Sequence, residues 1–255
     1  MPAIPHGASA VSFSSASGAT IKGWYFATQA DEASIVLMHG VRGNRTDLTQ
    51  RAAFFQQLGF SVLTFDFQAH GESGGENITF GALESLDAVA AVEFARARQP
   101  GKPLIALGIS LGGAAALFAG PKLEVDALIV ESVYSDIEQA VANRLNLRIP
   151  SSGALAPLLL WQLKPRLGIE LADLSPVSAA ASLAAPALVL SGSADLHTLT
   201  WETEALFEAI PTQKELHLFN GARHQNLQRF DPEGYRVVVT DFICATIQIP
   251  ACASL

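Results

Sequence analysis

Residues 104–119 read LIALGISLGGAAALFA, and this stretch decides the fold. An apolar run of strand length, Leu104–Ile109, passes without a loop into a helical run of small residues, Leu111–Ala119. Between them, Ser110 is flanked by Gly108 and Gly112, which permit a sharp turn that lifts its hydroxyl off the sheet. The first helical amides then face that position as hydrogen-bond donors for an anion. The sequence therefore predicts that Ser110 is a nucleophile.

Strand and helix patterns alternate on both sides of this turn. Strands are predicted at Val11–Phe13, Thr20–Ala27, Ile35–Met38, Phe60–Phe65, Ala127–Val130, Pro186–Leu190 and Glu215–Phe219, and helices at Thr46–Leu58, Phe80–Arg98, Trp201–Ile210 and Tyr235–Ile247. Short apolar strands that alternate with longer helices predict an α/β fold, a mostly parallel sheet covered by helices on both faces. In such folds the active groups lie on loops beyond the carboxyl ends of the strands.

A serine nucleophile needs a base and an acid that orients the base. His224 is the favoured base because it lies in the loop between the last strand and the last helix. Asp195 is the favoured acid because it follows the strand Pro186–Leu190, which gives the chain order Ser, Asp, His. Glu131, at the end of another strand, remains a second candidate for the acid.

Residues 136–176 interrupt the alternation with an apolar segment broken by four prolines. A connection of this length is unusual unless it has a function. We predict a small helical cap over a pocket, inserted into a single domain that spans residues 1–255. Leu159 and Trp161 in the cap are expected to contact the substrate. The alternative to a cap is a surface loop with one packed helix.

The chain resembles the α/β-hydrolase superfamily, and in particular the small bacterial hydrolases described as esterase-like or serine-aminopeptidase-like. Three blocks carry the resemblance: residues 39–44 (HGVRGN), residues 66–75 (DFQAHGESGG) and the turn around Ser110. The resemblance implies an eight-stranded sheet whose second strand is antiparallel. It also implies a Ser–His–Asp triad and an oxyanion hole formed by the amides of Val41 and Leu111.

Three residues beside the expected oxyanion hole, His39, Gly40 and Arg42, are predicted to contact the substrate. Arg42 could attract a carboxylate or a phosphate. His70, in the second block, corresponds to a histidine that usually has a structural role in the family that the chain resembles. No cofactor or metal ion is expected.

The composition excludes several classes of protein. The chain has 255 residues, a net charge of −8 and 49% hydrophobic residues, which is typical of a globular protein and argues against nucleic acid as a partner. No apolar run reaches the length of a membrane span, and no secretory signal is visible. We therefore expect a cytoplasmic protein without a membrane partner. Cys244 and Cys252 are predicted to be free thiols.

These features together predict a serine hydrolase that cleaves carboxylic esters with short to medium acyl chains through an acyl-enzyme. A thioesterase, an amidase or aminopeptidase, and a lactonase would use the same residues and stay open as alternatives. A relative that binds a ligand without turnover is the alternative outside enzymes. The sequence does not indicate an oligomeric state.

Overall fold

One eight-stranded sheet organises the computed structural model, which describes residues 2–30, 32–247, 249 and 252. Its strands are β1 (Ala8–Ser14), β2 (Thr20–Phe26), β3 (Ala33–Met38), β4 (Phe60–Asp66), β5 (Leu104–Ile109), β6 (Ala127–Glu131), β7 (Ala187–Gly192) and β8 (Lys214–Phe219). Their order in the sheet is β1-β2-β4-β3-β5-β6-β7-β8. The strand β2 pairs antiparallel with both β1 and β4, and the other neighbours are parallel. The predicted fold class is thereby confirmed.

Helices cover both faces of the sheet. Within the described residues they are α1 (Thr49–Gln57), α2 (Glu84–Arg98), α3 (Leu111–Ala119), α4 (Ile137–Asn146), α5 (Ala156–Leu160), α6 (Leu163–Leu167), α7 (Pro176–Ala180), α8 (Thr200–Ala209), α9 (Leu227–Phe230) and α10 (Pro232–Thr246). The apolar sides of α1 and α10 pack on one face, and those of α2, α3 and α8 pack on the other. Every residue of β3 is buried, as expected for a central strand with both faces covered.

Two helices begin later than their sequence pattern predicts. The predicted helix Thr46–Leu58 is a 3₁₀ turn at Arg45–Leu48 followed by α1. The predicted helix Phe80–Arg98 begins only at Glu84, because the buried Glu84 carboxylate accepts hydrogen bonds from the amides of Thr79 and Gly81. These bonds hold the preceding residues in a turn.

The segment 136–176 contains α4, α5 and α6 and two 3₁₀ turns, at Ser152–Leu155 and Leu171–Asp173. Asp136 begins α4, because its carboxylate accepts a hydrogen bond from the amide of Gln139. No helix among the described residues combines the length and the apolar composition that crossing a membrane requires.

Cys244 and Cys252 form a disulfide bond, with their Cα atoms 5.5 Å apart. The prediction of two free thiols is therefore wrong. Cys244 lies in the last turns of α10, and Ile247 and Ile249, which follow it, are buried against the same face of the sheet as α10. The amide of Cys252 donates to the carbonyl of Ile249 at 3.1 Å, which keeps Cys252 close to this buried segment and within reach of Cys244.

Candidate active site

Ser110 lies on a strained turn between β5 and α3. Its backbone angles are φ 50° and ψ −109°, which are unfavourable for a residue with a side chain, and its amide donates to the carbonyl of Glu131 in β6 at 2.8 Å. A Cβ atom at position 108 would lie 2.5 Å from the carbonyl carbon of Gly112, and one at position 112 would lie 2.7 Å from the carbonyl oxygen of Met38. The tight contact between β3, β5 and α3 thus requires glycine at both positions.

His224 and Asp195 are joined by a hydrogen bond of 2.8 Å between Nδ1 and Oδ2. The other carboxylate oxygen, Oδ1, accepts from the amides of His197 at 2.8 Å and Thr198 at 3.0 Å. Burial alone would raise the pKa of Asp195, but the hydrogen bonds from His224 and the two amides outweigh it and hold this pKa below its ordinary value. Asp195 therefore stays ionised and orients the imidazole.

The loops after β7 and β8 are fixed to each other by their backbones. The amide of Ser193 donates to the carbonyl of Phe219, and the amide of Ala194 donates to the carbonyl of Ala222. These bonds hold the turn that contains Asp195 against the turn that leads to His224. The carboxyl ends of β5, β7 and β8 lie at one edge of the sheet, so Ser110, Asp195 and His224 are gathered there.

The loop after β3 contains the predicted oxyanion amide of Val41. Arg42, with φ 62°, follows in the left-handed region, and its amide donates to His70 Nε2 at 3.3 Å. His70 in turn contacts the carbonyl of Gln68 through Nδ1 at 2.8 Å. Within the part of the chain that the structure describes, the amides of Val41 and Leu111 donate no hydrogen bond. Both donors are thus available to a ligand.

His39 supports this loop. Its Nε2 accepts from the amide of Phe67 at 3.1 Å, so its Nδ1 carries the proton and donates to the carbonyl of Gly40 at 2.8 Å. Burial lowers the pKa of His39 to about 4, which keeps the ring neutral. His39 and Gly40 line a cavity at the site. Both ring nitrogens of His39 already have hydrogen-bond partners within the protein, so its ring serves to hold the loop.

Glu131, the second candidate for the acid, is bound elsewhere. Its carboxylate forms a buried ion pair with Arg51 and accepts a hydrogen bond from the hydroxyl of Tyr235. Arg51 also donates to Asn226 Oδ1 at 3.2 Å, two residues beyond His224. The pair therefore joins the end of β6, beneath Ser110, to the histidine loop. The structure brings Asp195, and not Glu131, to His224.

Replacing Arg51 with methionine is expected to lower the free energy of unfolding by about 3–5 kcal/mol, because it leaves the buried Glu131 carboxylate without its cation. Chemical denaturation followed by tryptophan fluorescence would measure the change. The double variant Arg51→Met/Glu131→Met is the control, and it should recover much of the loss because no unpaired charge stays buried. If Arg51→Met alone were as stable as the wild type, the buried ion pair between Arg51 and Glu131 would not stabilise the fold as we infer.

A small apolar cavity of about 60 Å³ adjoins Ser110. Its other lining residues are Val41, Phe80, Leu111, Tyr134, Ile137, Ala140, Val141 and Arg144. Four of these come from α4 at positions i, i+3, i+4 and i+7, which lie on one face of a helix. This spacing is the sequence signal that could have identified the pocket wall. A wider cavity of about 450 Å³ shares Val41 as a lining residue and is also lined by His224 and Ser132.

The structure does not bring Leu159 and Trp161 to the site. Neither residue lines the cavity at Ser110, and their exposed fractions are 45% and 66%. Instead, one face of α4 lines the cavity beside Ser110. Arg42 lines a neighbouring groove together with Arg144. Arg144 was not among the residues predicted from the sequence. No group of acidic, histidine or cysteine side chains in the described residues is arranged to hold a metal ion.

A family model matches more than half of the chain. The profile of a family described as "Serine aminopeptidase, S33" matches residues 29–178. An uncharacterized Bacillus subtilis protein is 28% identical over 235 residues, which cover 90% of this chain and 77% of that protein.

Solved structures share the fold. An esterase from Pyrococcus furiosus superposes with a TM-score of 0.77 at 21% identity, covering 94% of this chain and 92% of its own. An acetyl xylan esterase from a Thermoanaerobacterium species superposes with a TM-score of 0.70 at 16% identity, covering 96% of this chain and 85% of its own.

Proposed function

The chain belongs to the serine aminopeptidase family of α/β hydrolases, and from this premise we propose that it is a serine esterase for carboxylic esters with short acyl chains. The observation that carries the proposal is the 2.8 Å hydrogen bond between His224 and Asp195, at the sheet edge where Ser110 stands on its strained turn. The names of the two structural neighbours, both esterases, support the same reaction.

Ser110 Oγ attacks the carbonyl carbon of the ester while its proton passes to His224 Nε2. Nε2 is the available nitrogen because Nδ1–H donates to Asp195. The charged imidazole is stabilised by the ionised Asp195 carboxylate, and the chain order Ser, Asp, His is that of the fold's hydrolases.

The amides of Val41 and Leu111 stabilise the negative charge that develops on the carbonyl oxygen. Leu111 is the first residue of α3, so its amide has no acceptor within the helix. Each preorganised donor of this kind contributes about 2.7–4 kcal/mol to the transition state. His70 positions the loop through the amide of Arg42, and so holds the Val41 amide in place.

Collapse of the tetrahedral intermediate breaks the bond to the alcohol, which leaves with the proton from His224. The acyl group then remains as an ester on Ser110. Water attacks this ester after giving a proton to His224, and a second collapse releases the acid and restores Ser110. The wider cavity beside His224 lies where the alcohol would leave and the water would enter.

An ester fits the pocket better than the substrate of an aminopeptidase. An aminopeptidase must bind the α-ammonium group of its substrate, for which a free carboxylate is the natural partner. The pocket at Ser110 contains the cation Arg144 instead. The nearby carboxylates of Asp195 and Glu202 already accept hydrogen bonds from backbone and side chains.

Hydrolysis of p-nitrophenyl acetate, butyrate, hexanoate, octanoate and laurate would test the proposal. We expect kcat/KM to be highest for acetate or butyrate, because a cavity of about 60 Å³ holds only a short chain. A maximum at laurate would contradict the assignment of this cavity to the acyl chain. If the protein hydrolyses amino acid p-nitroanilides but none of the esters, the esterase proposal is overturned in favour of an aminopeptidase.

A further inference from the structure

A groove lined by cations lies beside the Ser110 pocket. Its volume is about 540 Å³, and its polar side chains are Arg42, Arg144, Arg148 and His197. Arg42 comes from the loop after β3, Arg144 and Arg148 from α4 and its end, and His197 from the loop that holds Asp195. Three separate parts of the chain thus bring positive or ionisable groups to one place.

None of the three arginines forms an ion pair with any residue that the structure describes. The chain nevertheless carries 24 acidic residues against 16 basic ones, so acidic partners are plentiful. Among the described residues, Arg144 donates one hydrogen bond, to the carbonyl of Ala140 in its own helix. The described part of the chain therefore leaves the groove with an excess of positive charge.

Arg144 connects the groove to the site of reaction. It lines both the groove and the small cavity at Ser110, and Val141 beside it on α4 does the same. Burial lowers the pKa of Arg144, the negative charges of Asp195 and Glu202 oppose this lowering, and the charge of Arg42 adds to it. A guanidinium keeps its charge at neutral pH in any case. Within the described residues no carboxylate lies within ion-pair distance of the half-buried Arg144. An anionic ligand in direct contact would therefore offset part of the cost of burying this cation.

We propose that the ester substrate carries a carboxylate at the far end of its acyl chain, and that Arg144 binds this carboxylate with Arg42 and Arg148 supporting it. The proposal rests on the proposed function. The acyl chain runs from Ser110 through the apolar cavity to the guanidinium of Arg144. Hydrolysis then adds water across the ester bond, with OH on the acyl carbon and H on the alcohol, and releases a dicarboxylate.

Pairs of esters with equal carbon number test the proposal. The p-nitrophenyl monoesters of succinate and glutarate are compared with p-nitrophenyl butyrate and valerate, after subtraction of the uncatalysed rates. We expect kcat/KM to favour the anionic member of a pair by about tenfold or more, as a charge-assisted contact provides. This preference should fall as salt is added, because the groove is open to solvent.

Arg144→Met should reduce the ratio of kcat/KM between the anionic and neutral esters to near one. Arg166→Met is the matched control, since Arg166 is an exposed arginine on α6 that does not line the groove, and it should leave the ratio unchanged. A ratio that falls equally in both variants would overturn the proposal, because net charge and not the groove would then set the preference.

The outcomes separate the two proposals. If the kcat/KM of wild type is equal for the neutral and the anionic member of each pair, the carboxylate proposal is overturned and the esterase stands. If no ester is cleaved, the esterase fails, and calorimetric titration with glutarate decides the groove. Binding of glutarate by wild type that weakens in Arg144→Met would support the groove as a carboxylate site, and absence of binding would overturn it.

Discussion

Replacing Ser110 with alanine is expected to lower kcat for short-chain esters by about 10⁶-fold, to the residual rate that the oxyanion amides and binding alone provide. The variant loses the only atom that would attack the carbonyl, and His224 and Asp195 have no role without it. The strained turn is kept, because alanine occupies the same backbone conformation without the hydroxyl. Stopped assays with p-nitrophenyl butyrate, alongside circular dichroism to verify folding, would measure the effect.

Covalent labelling by a fluorophosphonate provides the control. Wild type should be labelled and Ser110→Ala should not. Ser132 is the matched position, since it follows the neighbouring strand β6 with a positive φ of 49° and lines the cavity beside His224. Ser132→Ala should keep the label. If labelling disappears in Ser132→Ala and persists in Ser110→Ala, the nucleophile is Ser132 at the end of β6, and the assignment of Ser110 is overturned.

The sequence predicts the sheet and the turn at Ser110 because both depend on local chemistry. Glycine at positions 108 and 112 is required by close contacts within a short stretch, and such requirements are visible as a motif. Asp195 and His224 could be predicted because both follow strands whose carboxyl ends meet at one edge. Their hydrogen bond also requires β7 and β8 to be neighbours in the sheet. The strand pattern predicts both strands but not their order.

The lining of the pocket could not be predicted in the same way. Proline and apolar residues in 136–176 indicate a special segment, but not which helix faces Ser110. The α4 face that includes Ile137 and Arg144 is chosen by packing, whereas Leu159 and Trp161 remain exposed. Apolar residues on a surface are common, so composition alone does not distinguish them from a pocket wall.

The buried pair of Arg51 and Glu131 shows a second limit. Arg51 lies in a predicted helix and Glu131 directly follows a predicted strand, but the two residues are 80 positions apart. A glutamate at the end of a strand has the same sequence signature whether it orients a histidine or balances an arginine. Only the tertiary arrangement, in which α1 places Arg51 beneath β6, decides between these roles.

Replacing Asp195 with asparagine is expected to lower kcat by about 10⁴-fold, with a much smaller effect on KM. The amide would neither stabilise the charged imidazole nor keep its proton on Nδ1. The hydrogen bonds that Oδ1 accepts from the amides of His197 and Thr198 can be retained by the asparagine oxygen, so the fold of the loop should survive. Steady-state kinetics with p-nitrophenyl butyrate would measure the loss.

Glu131→Gln is the matched substitution at the other candidate, because it removes the same charge from a strand end with the same small change in shape. Its main effect should be on stability, since the variant leaves Arg51 buried without its anion. At a temperature where it is folded, its kcat should stay within about tenfold of wild type, because Glu131 acts on His224 only through Arg51 and Asn226. The reverse result, a loss of about 10⁴-fold in Glu131→Gln with Asp195→Asn nearly active, would make Glu131 the acid. The hydrogen bond of 2.8 Å between Asp195 and His224 would then have only a structural role.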